Sequence, residues 1–267
     1  MDISVTGARI WFTIPICGGI TITSTQVNSL LVILALTLVS AWLTHDLKVH
    51  PTTKRQLVAE YLVEAVYKLV RSNMGEAFLG FAPFIGALIS MSALSSLISL
   101  LGLYSPTADL NTELGWALMV FVLITYYKMR GGVGRYAKGF LEPIPVLLPF
   151  NILSELATPI SMAFRHFGNI ASGGVISSLV YAALAVLSHA VFGWLPGLLG
   201  EIPYFQAGLP AVLSIYFDVF SGCLQAFIFC MLTMIYISMA AEDTAEAAEA
   251  KKRRRAERRA RGKTQQA

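Results

Sequence analysis

The stretch ISMAFRHFGNIASGG (Ile160–Gly174) places an arginine inside one of the longest apolar regions of the chain. Between Pro143 and Ala241 the only formal charges are Glu155, Arg165, Glu201 and Asp218. Arginine does not give up its proton in a protein, and a cation at bilayer depth is costly. The helical pattern around it runs from Pro143 to Ser188, roughly 45 residues or ~68 Å at 1.5 Å per residue, against a hydrocarbon core of ~30 Å. A helix of that length must tilt, bend or carry its ends out of the membrane, and Pro145, Pro149 and Pro159 supply bending points.

Composition agrees with a membrane setting. The 267 residues are 55% hydrophobic and only 13% charged, with mean hydropathy +0.64. Uncharged runs long enough to span a bilayer place the chain among polytopic helical membrane proteins. Its net charge of +4 belongs to the tail, where nine Lys/Arg face five Asp/Glu from Glu242 onward; the body is neutral. Nucleic acid would therefore have only KKRRRAERRARGK (Lys251–Lys263) to bind, and a basic cytoplasmic anchor facing anionic lipid is the preferred reading. Cys17, Cys223 and Cys230 show no metal-ligand spacing and read as small hydrophobes. The short apolar run ending at Ile20 is broken by Pro15, Gly18 and Gly19 and lacks a clean signal-cleavage site.

Five spans are expected, at about 25–44, 78–104, 114–129, 143–188 and 202–241, the last two long and tilted. They make an all-α membrane domain over 25–241, between an extracytoplasmic segment 1–24 and a charged tail 242–267. Residues 52–72 alternate with helical period between apolar positions and a charged edge (Glu60, Glu64, Lys68, Arg71), which predicts a helix lying at the interface. GGVGRYAKG (Gly131–Gly139) looks superficially like a nucleotide loop. No P-loop Lys-Ser/Thr follows it and no strand precedes it, so it reads as a glycine-rich turn. Lys48, Lys54, Arg55, Lys68, Arg71, Lys128, Arg130, Arg135, Lys138 and the tail fall on one side, and only Arg9 on the other. The positive-inside rule then puts the amino terminus outside and the carboxyl terminus in the cytoplasm.

Helical spacing around Arg165 gathers Thr158, Ser161, Gly168, Asn169, Ser172, Gly173 and Ile176 on one face. Such small and polar residues suit close approach of another helix. The last span carries a matching stripe of Ser214, Asp218, Ser221, Gly222, Gln225 and Thr233. An intramembrane carboxylate is a functional-site candidate, here Asp218, with a structural partner for Arg165 as its alternative. In this orientation Asp218 lies toward the outer half of its helix and Glu155 toward the cytoplasmic half of the preceding one. Two aqueous half-paths that do not meet would place one acid on each side of the arginine.

ISMAFRHFGN together with FSGCLQAFIFCMLTMIYISMA (Phe220–Ala240), and the outer turn SPTADLN (Ser105–Asn111), resembles subunit a of the F-type ATP synthases, the stator half of a proton or sodium turbine. The resemblance implies that Arg165 faces a rotating ring of c subunits. It implies that Asn169 and Gln225 assist ion translocation beside Asp218, Glu155 and Ser161, and that Gly168, Ser172 and Gly173 pack toward the ring. It also implies other partners (peripheral-stalk b subunits and further synthase subunits), location in a bacterial plasma membrane, no cofactor and no nucleotide site. Departures from the family pattern are His166 where Leu is frequent, Gly174 where Glu or His is frequent, and Asn151 where an acid is frequent. A stand-alone secondary transporter would also explain a buried Arg and Asp, but the body shows no internal repeat of the kind many such folds carry. A hydrolase is disfavoured by the scattered histidines His45, His50, His166 and His189 and by the lack of a nucleophile-elbow motif.

Overall fold

The computed structural model describes residues 7–15, 19–49, 53–142, 144–194, 204–207, 212–213 and 215–264. Cys17, Pro143, Glu201 and Ser214 lie outside the described residues. Among the described residues, five helices are long and apolar enough to cross a membrane, spanning Ser24–Leu43, Glu76–Leu101, Leu110–Arg130, Pro145–Phe192 and Ile215–Glu242.

A small hairpin precedes them, with β1 (Ile10–Ile14) antiparallel to β2 (Ile20–Thr23) and Ile14 opposite Ile20. The sequence reading did not anticipate these strands. Pro15 and the positive φ of Gly19 (+94°) break the apolar run and let the chain reverse. Strand β2 runs straight into α1 (Ser24–Leu43), whose start is fixed by a capping box between Thr23 and Gln26.

Helix α2 (Lys54–Met74) is the charged-edged helix expected at 52–72. Thr53 caps it by accepting from the Gln56 amide, and Gly75, at φ +83°, ends it. Its last turn buries Val70 and Met74 in the core. A 3₁₀ turn leads into α3 (Ala82–Leu97), with Pro83 in its first turn, where a missing N–H costs nothing. Helix α4 (Leu110–Arg130) is capped by Asp109, which accepts from the Asn111 amide at 3.0 Å. A short α5 (Val133–Gly139) precedes the 45-residue α6 (Leu148–Phe192).

Tyr204–Ala207 form a 3₁₀ turn, and a π-helical stretch, Ile215–Ser221, opens α7 (Gly222–Thr264). The backbone of α7 stays helical well past the apolar span, through much of the charged tail.

Helix α7 is the hub. Phe229, Cys230, Met234, Ile237 and Ala240 repeat at helical spacing and meet Val70, Ile85, Leu88, Ala117, Val120, Ile124, Met162 and Ala163 from α2, α3, α4 and α6. Half of the most apolar stretch in this last span is buried, against only 6% in the Pro145–Phe192 span. Helix α6 therefore lies on the outside of the bundle, held chiefly by α4.

A knot of hydroxyls closes one end. The Ser105 hydroxyl donates to the Ser95 carbonyl (2.7 Å) and lies 2.7 Å from that of Thr107, which in turn is 3.1 Å from that of Ser96. Thr25 donates to the Asp109 carboxylate at 2.8 Å, and the Asn28 amide donates to the Tyr104 carbonyl at 2.7 Å. These bonds satisfy polar groups that would be costly to bury unpaired, and they tie α1, α3 and the start of α4 together.

Close approach of α3 and α7 depends on Gly222, where an added Cβ would come within 2.9 Å of the Ser96 Cβ. Gly222→Ala is expected to destabilise the fold by about 1–3 kcal/mol through overpacking. Adding Ser96→Gly should return part of that loss. The thermal midpoint of the purified protein in detergent checks both.

Candidate functional site

The helical wheel of α6 divides into two faces. Pro159, Met162, Ala163, His166 and Gly173 are buried, whereas Ser161, Phe164, Arg165 and Ser172 are exposed. Gly168 lies in open space, with nothing within 4 Å of an added Cβ. Ser161, Arg165, Gly168 and Ser172 thus form one outward strip, bordered by the exposed apolar residues Ile160, Phe164 and Ile176. Among the described residues, no ion pair or hydrogen bond reaches the Arg165 side chain.

The other expected residues lie on the inner side of the strip. Asn169 donates through Nδ2 to the Ser221 hydroxyl at 2.7 Å, which joins α6 to the end of the π-helical stretch. One turn further along α6, Gly173 accommodates the Phe217 ring, whose Cδ1 would lie 3.2 Å from an added Cβ. Asp218 follows Phe217 and is half-buried. A π turn carries an extra residue relative to an α turn and is frequent at functional sites. Gln225 is buried within the bundle rather than on the strip.

Glu155 lies toward the other end of the bundle. Its carboxylate accepts from the Lys128 ammonium at 2.7 and 2.8 Å, and Tyr136 donates to it at 3.4 Å. The two charged side chains are largely buried, so removing either would leave the other charge poorly solvated. They border a cavity of about 360 Å³ that also takes in Arg135, Tyr136, Asn151 and Ser154. Asn151 is engaged with backbone, donating to the carbonyls of Phe140 (2.8 Å) and Glu142 (3.1 Å).

A pair absent from the sequence reading lies directly beside the arginine. His166 Nδ1 comes within 2.9 Å of Glu113 Oε2, and both side chains are fully buried. The approach is not aligned as a hydrogen bond, and Oε1 and Nε2 also lack a partner among the described residues. Trp116 and Phe229 wall the imidazole, at ring-centroid distances of 6.4 and 5.8 Å. Glu113 sits in the first turn of α4. Among the described residues no cluster of His, Cys, Asp or Glu is arranged to hold a metal ion.

Over residues 26–238 the chain matches the family described as ATP synthase A chain. It is 33% identical over 222 residues to ATP synthase subunit a 1 of Crocosphaera subtropica, covering 82% of this chain and 87% of that relative. It is 32% identical over 236 residues to the Propionigenium modestum protein named ATP synthase subunit a, sodium ion specific, covering 82% of this chain and 74% of the relative. Against ATP synthase subunit a of Bacillus pumilus the identity is 33% over 221 residues, covering 77% and 86%. The charged tail lies beyond the matched region.

At the cavity, burial and then the charge of Glu155 push the Tyr136 phenol above its ordinary value of 10.0. The fold favours the protonated phenol, so this group's contribution holds below pH 10 and is lost as pH rises through the raised value. Glu155→Gln removes one cause and should move the titration back toward 10. Ultraviolet difference titration against Tyr136→Phe reads the movement, and an unmoved titration would contradict the contact.

Proposed function

Because the chain belongs to the ATP synthase subunit a family, part of the ion-translocating membrane sector, we propose that it is the stator against which a ring of c subunits turns. Arg165 is the charge that faces the ring. The single observation that carries this reading is the exposed guanidinium on the outward strip of α6, without an internal partner among the described residues and bordered by apolar side chains. Lipid is a poor neighbour for such a group, whereas a partner helix bearing a carboxylate satisfies it.

Each ring carboxylate would cross lipid in a neutral form, with its proton or sodium ion bound, because an ionised one is heavily penalised there. A guanidinium about 4 Å away contributes ~4 kcal/mol at an effective dielectric near 20, equivalent to roughly three pKa units. That favours the ionised carboxylate and release of its ion. The pair must then break as the ring turns, which a sealed ion pair within one chain would not allow. Arginine also holds its charge and relays no proton, so it opposes a direct leak past the ring.

Ions would reach this point by two half-paths. The outer one passes Asp218 and the cytoplasmic one enters by the cavity that Lys128 and Glu155 border, in the orientation the basic residues favour. Asn169, tied to Ser221, would act from the seam behind Arg165 by holding α6 against the π-helical stretch, and Gln225 would act from within the bundle. Ser161, Gly168 and Ser172 keep the strip small enough for a close, sliding contact. Peripheral-stalk b subunits would hold the stator still. Nucleotide chemistry belongs to other subunits, and this chain would contribute no catalytic site.

Arg165→Ala is expected to abolish ATP-driven ion pumping in reconstituted complexes, and pumping at the normal rate would reject the assignment. For Asp218→Asn the expected result is slower ion transport with assembly retained. Unchanged transport in assembled complexes would leave Asp218 a structural role only.

A further inference from the structure

The buried pair beside Arg165 has no part in the half-paths, and it is an expensive way to fill space. Two ionisable side chains lie fully buried with Nδ1 and Oε2 2.9 Å apart, an approach not aligned as a hydrogen bond, and Oε1 and Nε2 are also without a partner among the described residues. Apolar side chains of similar volume would commonly be as stable or more so. What a polar pair supplies and an apolar one does not is register, because any other rotation of the helices leaves both groups buried and unmatched.

Helix α6 needs such a constraint. It runs for 45 residues on the outside of the bundle, and Gly168 and Gly174 present no side chain to interlock with a neighbour. Apolar packing of Met162 and Ala163 is tolerant of small rotations. A charged or polar contact is not.

Successive residues on an α-helix are ~100° apart. Fixing His166 at the seam with α4 therefore fixes the direction in which Arg165 leaves the helix. The burial pattern matches this geometry, with Met162, Ala163 and His166 inward and Ser161, Phe164 and Arg165 outward.

We propose that the Glu113–His166 contact is a rotational lock on α6, and that both are positioning residues which hold Arg165 on the outward strip. The proposal rests on the assignment of Arg165 given above.

The lock is tested in the whole reconstituted complex, with native cysteines replaced and one cysteine introduced at Ala163, which is fully buried. Glu113→Leu or His166→Leu should raise maleimide labelling of that cysteine about tenfold as α6 loses its register. ATP-driven pumping should fall in parallel while ATP hydrolysis continues, which is a loss of coupling rather than of assembly. The exchanged pair, Glu113→His with His166→Glu, should restore shielding and pumping. The double variant Glu113→Leu/His166→Leu leaves no buried group unpaired and should still co-purify with its partners, yet couple poorly.

Unchanged labelling in the single variants, or normal pumping in the assembled double variant, would overturn the lock. Arg165→Ala in the same membranes separates the two claims. If that variant pumps normally, the assignment of Arg165 falls, and the labelling still decides whether the lock exists.

Discussion

A guanidinium is charged at any pH a cell experiences, so the surface on which it is displayed has to be matched by something. In this protein Arg165 stands on the outward face of a long apolar helix, and among the described residues the chain supplies it with no carboxylate. Bilayer lipid would make that arrangement costly. Under the proposed function, a second polypeptide carrying mobile acids would turn the cost into a working contact, strong enough to draw out an ion and open enough to release. The small residues of the strip and the placement of α6 on the outside of the bundle suit such a contact.

The rest of the architecture supports the display of one side chain. Helix α7, packed by four others, forms the rigid post. The Asn169–Ser221 bond and the nesting of Phe217 against Gly173 hold α6 to the π-helical stretch that begins it. On the α4 side, Met162 and Ala163 give apolar adhesion, and the Glu113–His166 contact gives direction. The hydroxyl knot around Ser105 and Thr107 fixes the start of α4, from which Glu113 reaches the seam. Stability and aim are thus supplied by different interactions.

Much of this was legible in the sequence because hydropathy writes spans plainly. The apolar runs and the charged-edged helix at 52–72 need only local information, and the RxFGN and LQAFIF segments carry the family signature. The first strands escaped because Pro15 and two glycines disguise a short hairpin as a broken apolar run. The side-chain contacts between helices escaped for a different reason. Lys128 and Glu155 are 27 positions apart and Glu113 and His166 are 53 apart, so only tertiary packing brings them together. In the sequence His166 is one scattered histidine, and nothing local singles out Glu113. Asn169 is legible as a residue of interest, but its partner Ser221, 52 positions away, is not. Helical spacing tells which residues share a face, not whether that face looks outward.

The most direct measurement is a density map of the assembled membrane sector at a resolution that shows side chains, read at the Arg165 guanidinium. The account requires it to point from α6 into the interface with another polypeptide, within reach of that partner's carboxylates as they pass. A guanidinium turned back into its own bundle, closed in a permanent pair with a carboxylate of this chain and out of contact with any neighbour, would contradict it.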